Sequence, residues 1–443
     1  MLSVLRDRAY RHLFAAQIVA LVGAGLATVA LGLLAYDIAG ADAGSVLGTA
    51  LAIKMLAYVL IAPAVGAVAD RLPRRALLVG ADLIRAGTAL VLPFVDQVWQ
   101  VYLLIFLLQA ASAAFMPAFQ TAIADVLCDE RDYTRALSLS RLAYDLETML
   151  SPALAAVLLS AMSYNWLFTG TVAGFLASAA LVVSVALPSP RPAGRRTGAL
   201  YARATAGSRR FLAVPRLRAL LALDLVVAAA GAVVLVNTVV YVRDHLGRPA
   251  GDVALALGAY GTGSMAVALA LPRLLARVSD RAVMLRGALL TAVVFAGLAA
   301  ITAAGEGGWR WPALLGAWAA FGAASSMVLT PAGRLIRRSS GPAERTELFA
   351  AQFSLSHGCW LLTYPLAGWL GAAAGLQAAV VALATVACAA GVLAARTWPT
   401  HDPRPVPHLH TDLVAGHPHL SDAVPVTGGW RHSHDPVLDA LHR

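Results

Sequence analysis

Ionisable side chains within long apolar stretches are the residues of this sequence that could do chemistry. Lys54 lies about ten residues into such a stretch, which corresponds to a depth of about 15 Å in a helix. Ionisable groups buried in lipid are costly, and they commonly face a protein interior or a watery cavity that carries substrate or protons. The candidates for transport or coupling are Lys54, Asp82, Arg85, Arg141, Asp145, Glu147, Asp224 and His357.

The spacing of these charges leaves two readings open. Asp82 and Arg85 are three residues apart, and Arg141 and Asp145 are four apart, so each pair shares one face of a helix. Such pairs either neutralise each other and stabilise packing, or they exchange protons or cations. Lys54 has the same alternatives, because a buried carboxylate could neutralise it.

Imidazole side chains are concentrated at the end of the chain. Most of the eleven histidines follow residue 400, where three His-x-His pairs alternate with aspartates. Imidazole and carboxylate without thiolate suit Ni²⁺, Co²⁺, Cu²⁺ or Zn²⁺ and disfavour Cu⁺. The alternative is a histidine-biased soluble tail without a role. The candidate metal ligands are His401, His408, His410, His417, His419, His432, His434 and His442.

The composition predicts a membrane environment. Only 13% of the residues are charged and the mean hydropathy is +0.71, whereas about a quarter of a soluble domain is charged. Apolar runs of about 20 residues, enough to cross a bilayer, recur along the chain, and lipid requires their backbones to be helical. We therefore predict an all-α membrane protein with twelve transmembrane helices. The predicted spans are 12–36, 45–69, 76–95, 98–122, 138–160, 166–187, 217–242, 251–275, 285–304, 312–333, 347–373 and 376–397.

The net charge of +10 reflects membrane topology rather than a nucleic-acid surface. Arginines cluster before the first span and in the connection 188–218, whereas the opposite connections carry only Arg243, Arg248 and Arg310. This positive-inside pattern predicts that both termini are cytoplasmic. The preference for arginine over lysine suggests a bacterial inner-membrane protein. We expect a monomer in the bilayer.

Several classes of function are not expected. The three cysteines lack paired spacing, so neither disulfides nor a thiolate metal site is predicted. No P-loop pattern is present, which argues against ATP drive, and no catalytic constellation suggests an enzyme or a resident cofactor. The first apolar run is too long for a signal peptide and should remain as a membrane helix.

The two halves of the sequence repeat each other. Short matches occur in the same order: Asp70-Arg71 with Asp280-Arg281, Pro117-Ala118 with Pro331-Ala332, and Ser138-Leu139-Ser140 with Ser354-Leu355-Ser356. Parallel repeats in carriers enclose a substrate site near the membrane midplane. We expect a six-helix bundle at 1–187, a cytoplasmic linker at 188–216, a second six-helix bundle at 217–397, and a His-rich cytoplasmic tail at 398–443 that is disordered or loosely ordered.

The segment Gly66-Ala-Val-Ala-Asp70-Arg71-Leu-Pro73-Arg74-Arg75 resembles the loop between helices 2 and 3 of major facilitator superfamily transporters. The resemblance implies a major facilitator fold in which Gly66 permits close helix packing. Asp70, Arg71 and Arg74 would form a gate at the cytoplasmic mouth, although Pro73 replaces the usual glycine. Residues 147–156 resemble the antiporter signature of this superfamily, with Glu147 at a position that is usually glycine.

Tyr10-Arg11-His12-Leu13-Phe14, residues 136–145 and the His-rich end resemble bacterial nickel-resistance exporters of this superfamily. The resemblance implies efflux of Ni²⁺, with Co²⁺ as a second substrate, driven by inflowing protons. Two alternatives remain open. The chain could export a drug or a siderophore-like organic compound on the same scaffold, or it could be a metal-sensing membrane receptor through which nothing crosses.

Overall fold

The computed structural model describes residues 2–39, 43–68, 72–185, 187, 200–249, 251–341, 344–399, 406–410, 424–426 and 429–434. The helices are α1 (Arg8–Ala39), α2 (Ala43–Val68), α3 (Arg74–Val91), α4 (Val98–Val126), α5 (Glu130–Leu159), α6 (Asn165–Val183), α7 (Leu200–Ala213), α8 (Pro215–Val240), α9 (Gly251–Leu274), α10 (Asp280–Ala303), α11 (Arg310–Arg338) and α12 (Arg345–Thr397). Short 3₁₀ turns occupy Leu2–Arg6 and Leu92–Phe94, and a π-helical turn, Tyr241–His245, extends α8.

The helix α12 is two helices joined at a break. Gly375 has φ +84° and ψ 166°, a conformation that side chains with a Cβ rarely adopt. The break falls between the predicted spans 347–373 and 376–397. With α12 counted as two, each predicted span falls on a described helix, and α7 is additional.

Length and hydropathy support the membrane assignment. Nine of the described helical segments could each cross a bilayer, with α12 counted once, and α2 contributes a shorter apolar segment, Ala52–Ala67. The predicted all-α membrane fold is confirmed for the body of the chain. Two features were not predicted from the sequence, which are α7 within the predicted linker and three short strands within the predicted tail.

The helices pack as two groups in chain order. In the first half, α1 packs on α5 and α6, α3 on α4 and α6, and α2 on α4. In the second half, α8 packs on α12, α9 on α11, and α10 on α11 and α12. The two halves meet where α2 and α4 contact α12 and where α5 contacts α9 and α11.

The tail strands form one antiparallel sheet. β1 (Val406–His410), β2 (Val424–Val426) and β3 (Gly429–His434) are arranged in the order β1-β3-β2. The register pairs His408 with His432. The pairing of β1 with β3 joins residues 20 to 28 positions apart in sequence, whereas β2 and β3 pair as neighbouring strands.

Helices α9 and α11 approach each other through two glycines. A Cβ on Gly322 would overlap the carbonyl oxygen of Tyr260, and a Cβ on Gly263 would overlap the carbonyl oxygen of Ala319. The reciprocal contact therefore requires that neither position carries a side chain.

We expect Gly322→Ala to lower the melting temperature of the purified protein by several degrees. Overpacking costs about 1–3 kcal/mol because the two backbones must separate. Gly297→Ala is the matched control, since no atom lies within 4 Å of a Cβ built at Gly297 in the middle of α10. Equal melting temperatures for the two variants would contradict the close approach.

Candidate functional site

The pair Asp82 and Arg85 is enclosed within the first half. An Nη atom of Arg85 donates to Asp82 Oδ1, and the Ser178 hydroxyl donates to Asp82 Oδ2 at 2.8 Å. The guanidinium carbon of Arg85 lies 4.2 Å from the ring centroid of Phe115 and 4.5 Å from that of Phe175. Both oxygens of Asp82 accept hydrogen bonds from these neighbours, so the arrangement is that of a structural ion pair, although Arg85 Nε is buried without a hydrogen-bond partner among the described residues.

The pair Arg141 and Asp145 reaches across the two halves. Arg141 Nη2 lies 2.9 Å from Asp145 Oδ1, and Arg141 Nε donates to the hydroxyl of Ser264 on α9 at 3.1 Å. Asp145 is 5% exposed, whereas Glu147, two residues further along α5, is half-buried. This pair can therefore respond to a relative movement of α5 and α9.

A cluster of aromatic and polar side chains lies between α2, α4 and α12. We call Lys54, Tyr58, Gln109, Phe353 and His357 the central cluster. The Tyr58 hydroxyl donates to Gln109 Oε1 at 2.8 Å, and the Tyr58 ring lies 4.9 Å from that of Phe353. The imidazole of His357 meets the edge of Tyr58 at 4.7 Å between centroids. The cluster joins the halves near the middle of their helices.

If the imidazole of His357 is neutral, its hydrogen bonding assigns the tautomer. Nδ1 lies 2.6 Å from the carbonyl oxygen of Phe353, and a carbonyl only accepts, so Nδ1 carries the proton. Nε2 is then an acceptor. Lys54 Nζ lies 5.7 Å from the Tyr58 ring centroid.

Asp224 is placed among different neighbours from the carboxylates of the first half. It is 2% exposed on α8, and its Oδ2 accepts a hydrogen bond from Gln352 Nε2 at 2.8 Å. Asp224 Oδ1 and Gln352 Oε1 are buried and lack hydrogen-bond partners among the described residues. This carboxyl group is therefore paired with an amide rather than with a cation.

The gate residues are only partly described. Asp70 and Arg71 lie outside the described residues. Gly66 is at the contact of α2 with α12, where an added Cβ would lie 2.9 Å from the Cβ of Ala350. Arg74, at the start of α3, forms an ion pair with Asp125 at the end of α4.

Asp125 also accepts from the second half of the molecule. Arg345 Nη1 lies 2.5 Å from Asp125 Oδ1. Arg74, Asp125 and Arg345, which we call the first charge cluster, thus join the ends of α3, α4 and α12. One carboxylate between two guanidinium groups ties the halves together at this end of the bundle, which we call the latch end.

A second charge cluster lies at the latch end with the signs exchanged. Arg338 Nε lies 2.6 Å from Glu130 Oε1 on α5, and its Nη1 lies 2.9 Å from Asp280 Oδ2 on α10. Arg334 lies between the same two carboxylates, at 3.1 and 3.2 Å. Here guanidinium groups of α11 stand between carboxylates, and the contact again crosses the halves.

Sequence reasoning missed most of these partners. Asp280 was noticed only as the repeat of Asp70, and the other missed residues are Asp125, Glu130, Arg334, Arg338 and Arg345. The repeat could have indicated these residues. Asp125 and Arg338 lie at the ends of corresponding helices of the two halves, and Glu130 and Arg345 lie at the starts of corresponding helices.

The linker helix α7 docks at the latch end. Arg210 Nη1 lies 2.8 Å from Glu344 Oε1 and 3.5 Å from Glu347 Oε2 at the start of α12. A Cβ on Gly207 would lie 2.8 Å from the Glu347 carbonyl oxygen, so the helix lies directly against this backbone. Helix α7, which links the two halves, is thus packed against the contact between them at the start of α12.

Half of the proposed metal ligands lie outside the described residues. His401, His417, His419 and His442 lie outside the described residues, while His408, His410, His432 and His434 lie on β1 and β3. Elsewhere in the part of the chain that the structure describes, no group of three His, Cys, Asp or Glu side chains is placed to hold a metal ion.

Comparisons with known proteins place this arrangement in a family. The sequence profile of the Major Facilitator Superfamily matches residues 13–309 and 221–433. Macrolide efflux protein A of Streptococcus pyogenes is 28% identical over 181 residues, which cover 40% of this chain and 44% of that protein. Macrolide efflux protein A of Enterococcus faecalis is 30% identical over 152 residues, covering 32% and 47%. The chain thus spans less than half the length of these relatives.

Solved structures agree in fold. The human organic anion transporter MFSD10 superposes with a TM-score of 0.72 at 16% identity, covering 87% of this chain and 99% of that one. A bacterial homologue of the iron transporter ferroportin, in an outward-facing state, gives 0.75 at 14% identity, covering 88% and 99%. At these identities the similarity concerns the fold alone.

We expect Asp125→Asn to populate a conformer that is open at the latch end. The amide cannot hold Arg74 and Arg345 together as the carboxylate does, and losing charged hydrogen bonds costs about 2 kcal/mol, roughly a 30-fold change in the population ratio. Spin labels at positions 135 and 273, which line a cavity of about 470 Å³ between α5 and α9, would report the opening as a longer distance.

Asp252→Asn is the control, because its ion pair with Arg248 at 2.5 Å lies within the second half. A distance distribution for Asp125→Asn identical to that of Asp252→Asn would show that the first charge cluster does not hold the halves.

Proposed function

Because this chain belongs to the Major Facilitator Superfamily, we propose that it exports organic compounds across the membrane by alternating access. The family makes it a secondary transporter rather than an enzyme. The curated relatives named as macrolide efflux proteins support export of drug-like molecules. They therefore favour the organic-compound alternative of the sequence analysis over nickel or cobalt.

The observation that carries this proposal is the aromatic character of the contact between α2 and α12. Tyr58, Phe353 and His357 lie edge to face or tilted against one another. One turn further along α12, Trp360 and Tyr364 continue the same stripe with ring centroids 5.2 Å apart. Aromatic rings with a few polar atoms suit an organic ligand, since they provide apolar area and oriented hydrogen bonds.

The residues around this stripe can adapt to ligands of different shape. Met116 on α4 accepts a hydrogen bond from the Tyr144 hydroxyl through its sulfur at 3.4 Å. Methionine is flexible and polarisable, and promiscuous binding surfaces use it for that reason. A site that accepts several organic compounds is therefore consistent with these side chains.

The two charge clusters support a specific state in the transport cycle. If the latch end is cytoplasmic, as the arginine distribution predicts, both clusters close the cytoplasmic side. The structure then corresponds to an outward-facing state, and the clusters must break before the substrate can enter from the cytoplasm. In this proposal Asp125 and Arg345 join Arg74 in the gate, while Asp70 and Arg71 lie outside the described residues.

Asp224 supports coupling to protons. A carboxyl group that is buried against an amide avoids the cost of an unpaired charge if it is protonated. A proton would also give Asp224 a donor, which could satisfy an acceptor that is otherwise unpaired. The carboxylates of Asp82 and Asp145 already have guanidinium partners, so the second half is the better candidate for proton exchange.

We expect everted membrane vesicles that contain this protein to accumulate a labelled amphipathic organic compound when their lumen is acidified, with a macrolide and the anion 8-anilinonaphthalene-1-sulfonate as the two probes. Vesicles without the protein provide the baseline, and Ni²⁺ content measured in the same vesicles tests the nickel alternative. Accumulation of Ni²⁺ without either organic probe would reverse the choice between these substrates, and accumulation of none of the three would contradict export.

We expect Asp224→Asn to bind the transported organic compound but to lose the acceleration by an imposed pH gradient, since asparagine resembles the protonated acid and does not titrate. Transport rates with and without the gradient give the measurement. Asp96→Asn is the matched control, because Asp96 is an exposed carboxylate outside the helices. If the Asp224→Asn protein still responds to the gradient, another residue must couple transport to protons.

A further inference from the structure

The ammonium group of Lys54 lies too deep to reach either end of its helix. Lys54 is eleven residues from Ala43 and fourteen from Val68, so it lies about 17 Å from one end of α2 and about 21 Å from the other. A lysine stem cannot carry its charge over such a distance to the headgroup region. The charge must therefore be stabilised within the bundle.

No carboxylate stabilises Lys54 within the described ranges. No Asp or Glu oxygen there lies within 4.0 Å of its ammonium nitrogen, whereas Arg85 and Arg141 each have an aspartate on their own helix. Lys54 Nζ instead lies over the Tyr58 ring, 5.7 Å from the ring centroid. A cation over an aromatic face gains less than a cation in an ion pair.

The groups around Lys54 are suited to an amphipathic ligand. Tyr58 and Phe353 present aromatic rings, and His357 presents Nε2 as an acceptor because its Nδ1 is engaged by Phe353. Lys54 and Tyr58 are both partly accessible rather than fully buried. The central cluster therefore combines one cation, apolar ring area and one neutral acceptor.

We propose that the compounds bound at the central cluster are amphipathic organic anions, whose carboxylate, sulfonate or phosphate group pairs with Lys54 while their rings pack on Tyr58 and Phe353. This inference rests on the proposed export of organic compounds and names the class of substrate. An anionic group offsets the cost of the buried ammonium, which a neutral ligand does not.

The same arrangement disfavours cations at this site. A divalent metal or a cationic drug would lie beside an ammonium group, and like charges at short distance repel strongly where water is scarce. Arg85 and Arg141 do not change this balance, because each is neutralised by its own aspartate. Lys54 therefore supplies the charge that the central cluster presents to a ligand.

A pair of dyes with the same rings separates charge from shape. The anion 8-anilinonaphthalene-1-sulfonate and the neutral N-phenyl-1-naphthylamine share one ring framework and differ in the sulfonate. Rhodamine 6G serves as an amphipathic cation. Transport of each is measured in proteoliposomes of the full-length protein, with protein-free liposomes as the baseline.

We expect the wild-type protein to transport the sulfonate roughly tenfold or more faster than the neutral dye at equal low concentration, as expected for one charge-assisted contact. Lys54→Met should reduce sulfonate transport more than transport of the neutral dye, so that the sulfonate-to-neutral ratio falls by about the same factor. Lys54→Arg keeps the charge and should keep the preference.

Each result decides between the proposals. Equal or faster transport of the neutral dye or of rhodamine 6G by the wild-type protein overturns the anion inference and leaves organic export intact. An unchanged sulfonate-to-neutral ratio in Lys54→Met overturns it as well. If the wild-type protein moves none of the dyes and no macrolide, the proposed function itself fails. The wild-type comparison needs no variant, so a misfolded Lys54→Met protein leaves the inference testable.

Discussion

The structure depends on charges that meet across the two halves at one end of the bundle. Asp125 lies between Arg74 and Arg345, and the α11 arginines lie between Glu130 and Asp280. Both clusters join corresponding helix ends of the repeat, with acid and base exchanged. The first half supplies the central carboxylate of the first cluster, and the second half supplies the central guanidinium groups of the second. Separation of the halves therefore breaks ion pairs in both clusters.

The membrane-embedded charges fall into two classes under the same constraint. Asp82 and Asp145 are held by arginines on their own helices, an arrangement that spacing of three or four residues predicts. Lys54 and Asp224 have a ring and an amide as recorded neighbours instead. We infer that groups of the first kind mainly stabilise the fold and that those of the second kind are balanced by a ligand or a proton.

The sequence predicted the parts of the structure that local rules determine. Apolar length located the spans, and the break at Gly375 falls between two of them, where the chain adopts a positive φ that glycine permits. The partnership of Asp125 with Arg345 crosses 220 positions, and no local spacing encodes it. Helix α7 was missed because its arginines were read only as topology signals, although Phe211 is fully buried. The tail sheet depends on pairing between distant strands, which the proline-rich composition obscured.

The short turn between α4 and α5 has a practical consequence for observing this molecule. Asp125 and Glu130 flank it, and Arg337 donates to the carbonyl oxygens of Leu127 and Cys128 at 2.8 and 2.6 Å. The thiol of Cys128 is exposed in the middle of this turn. A native chemical handle thus sits beside the contacts that connect the halves, and a fluorophore attached there would sense their separation without an introduced cysteine.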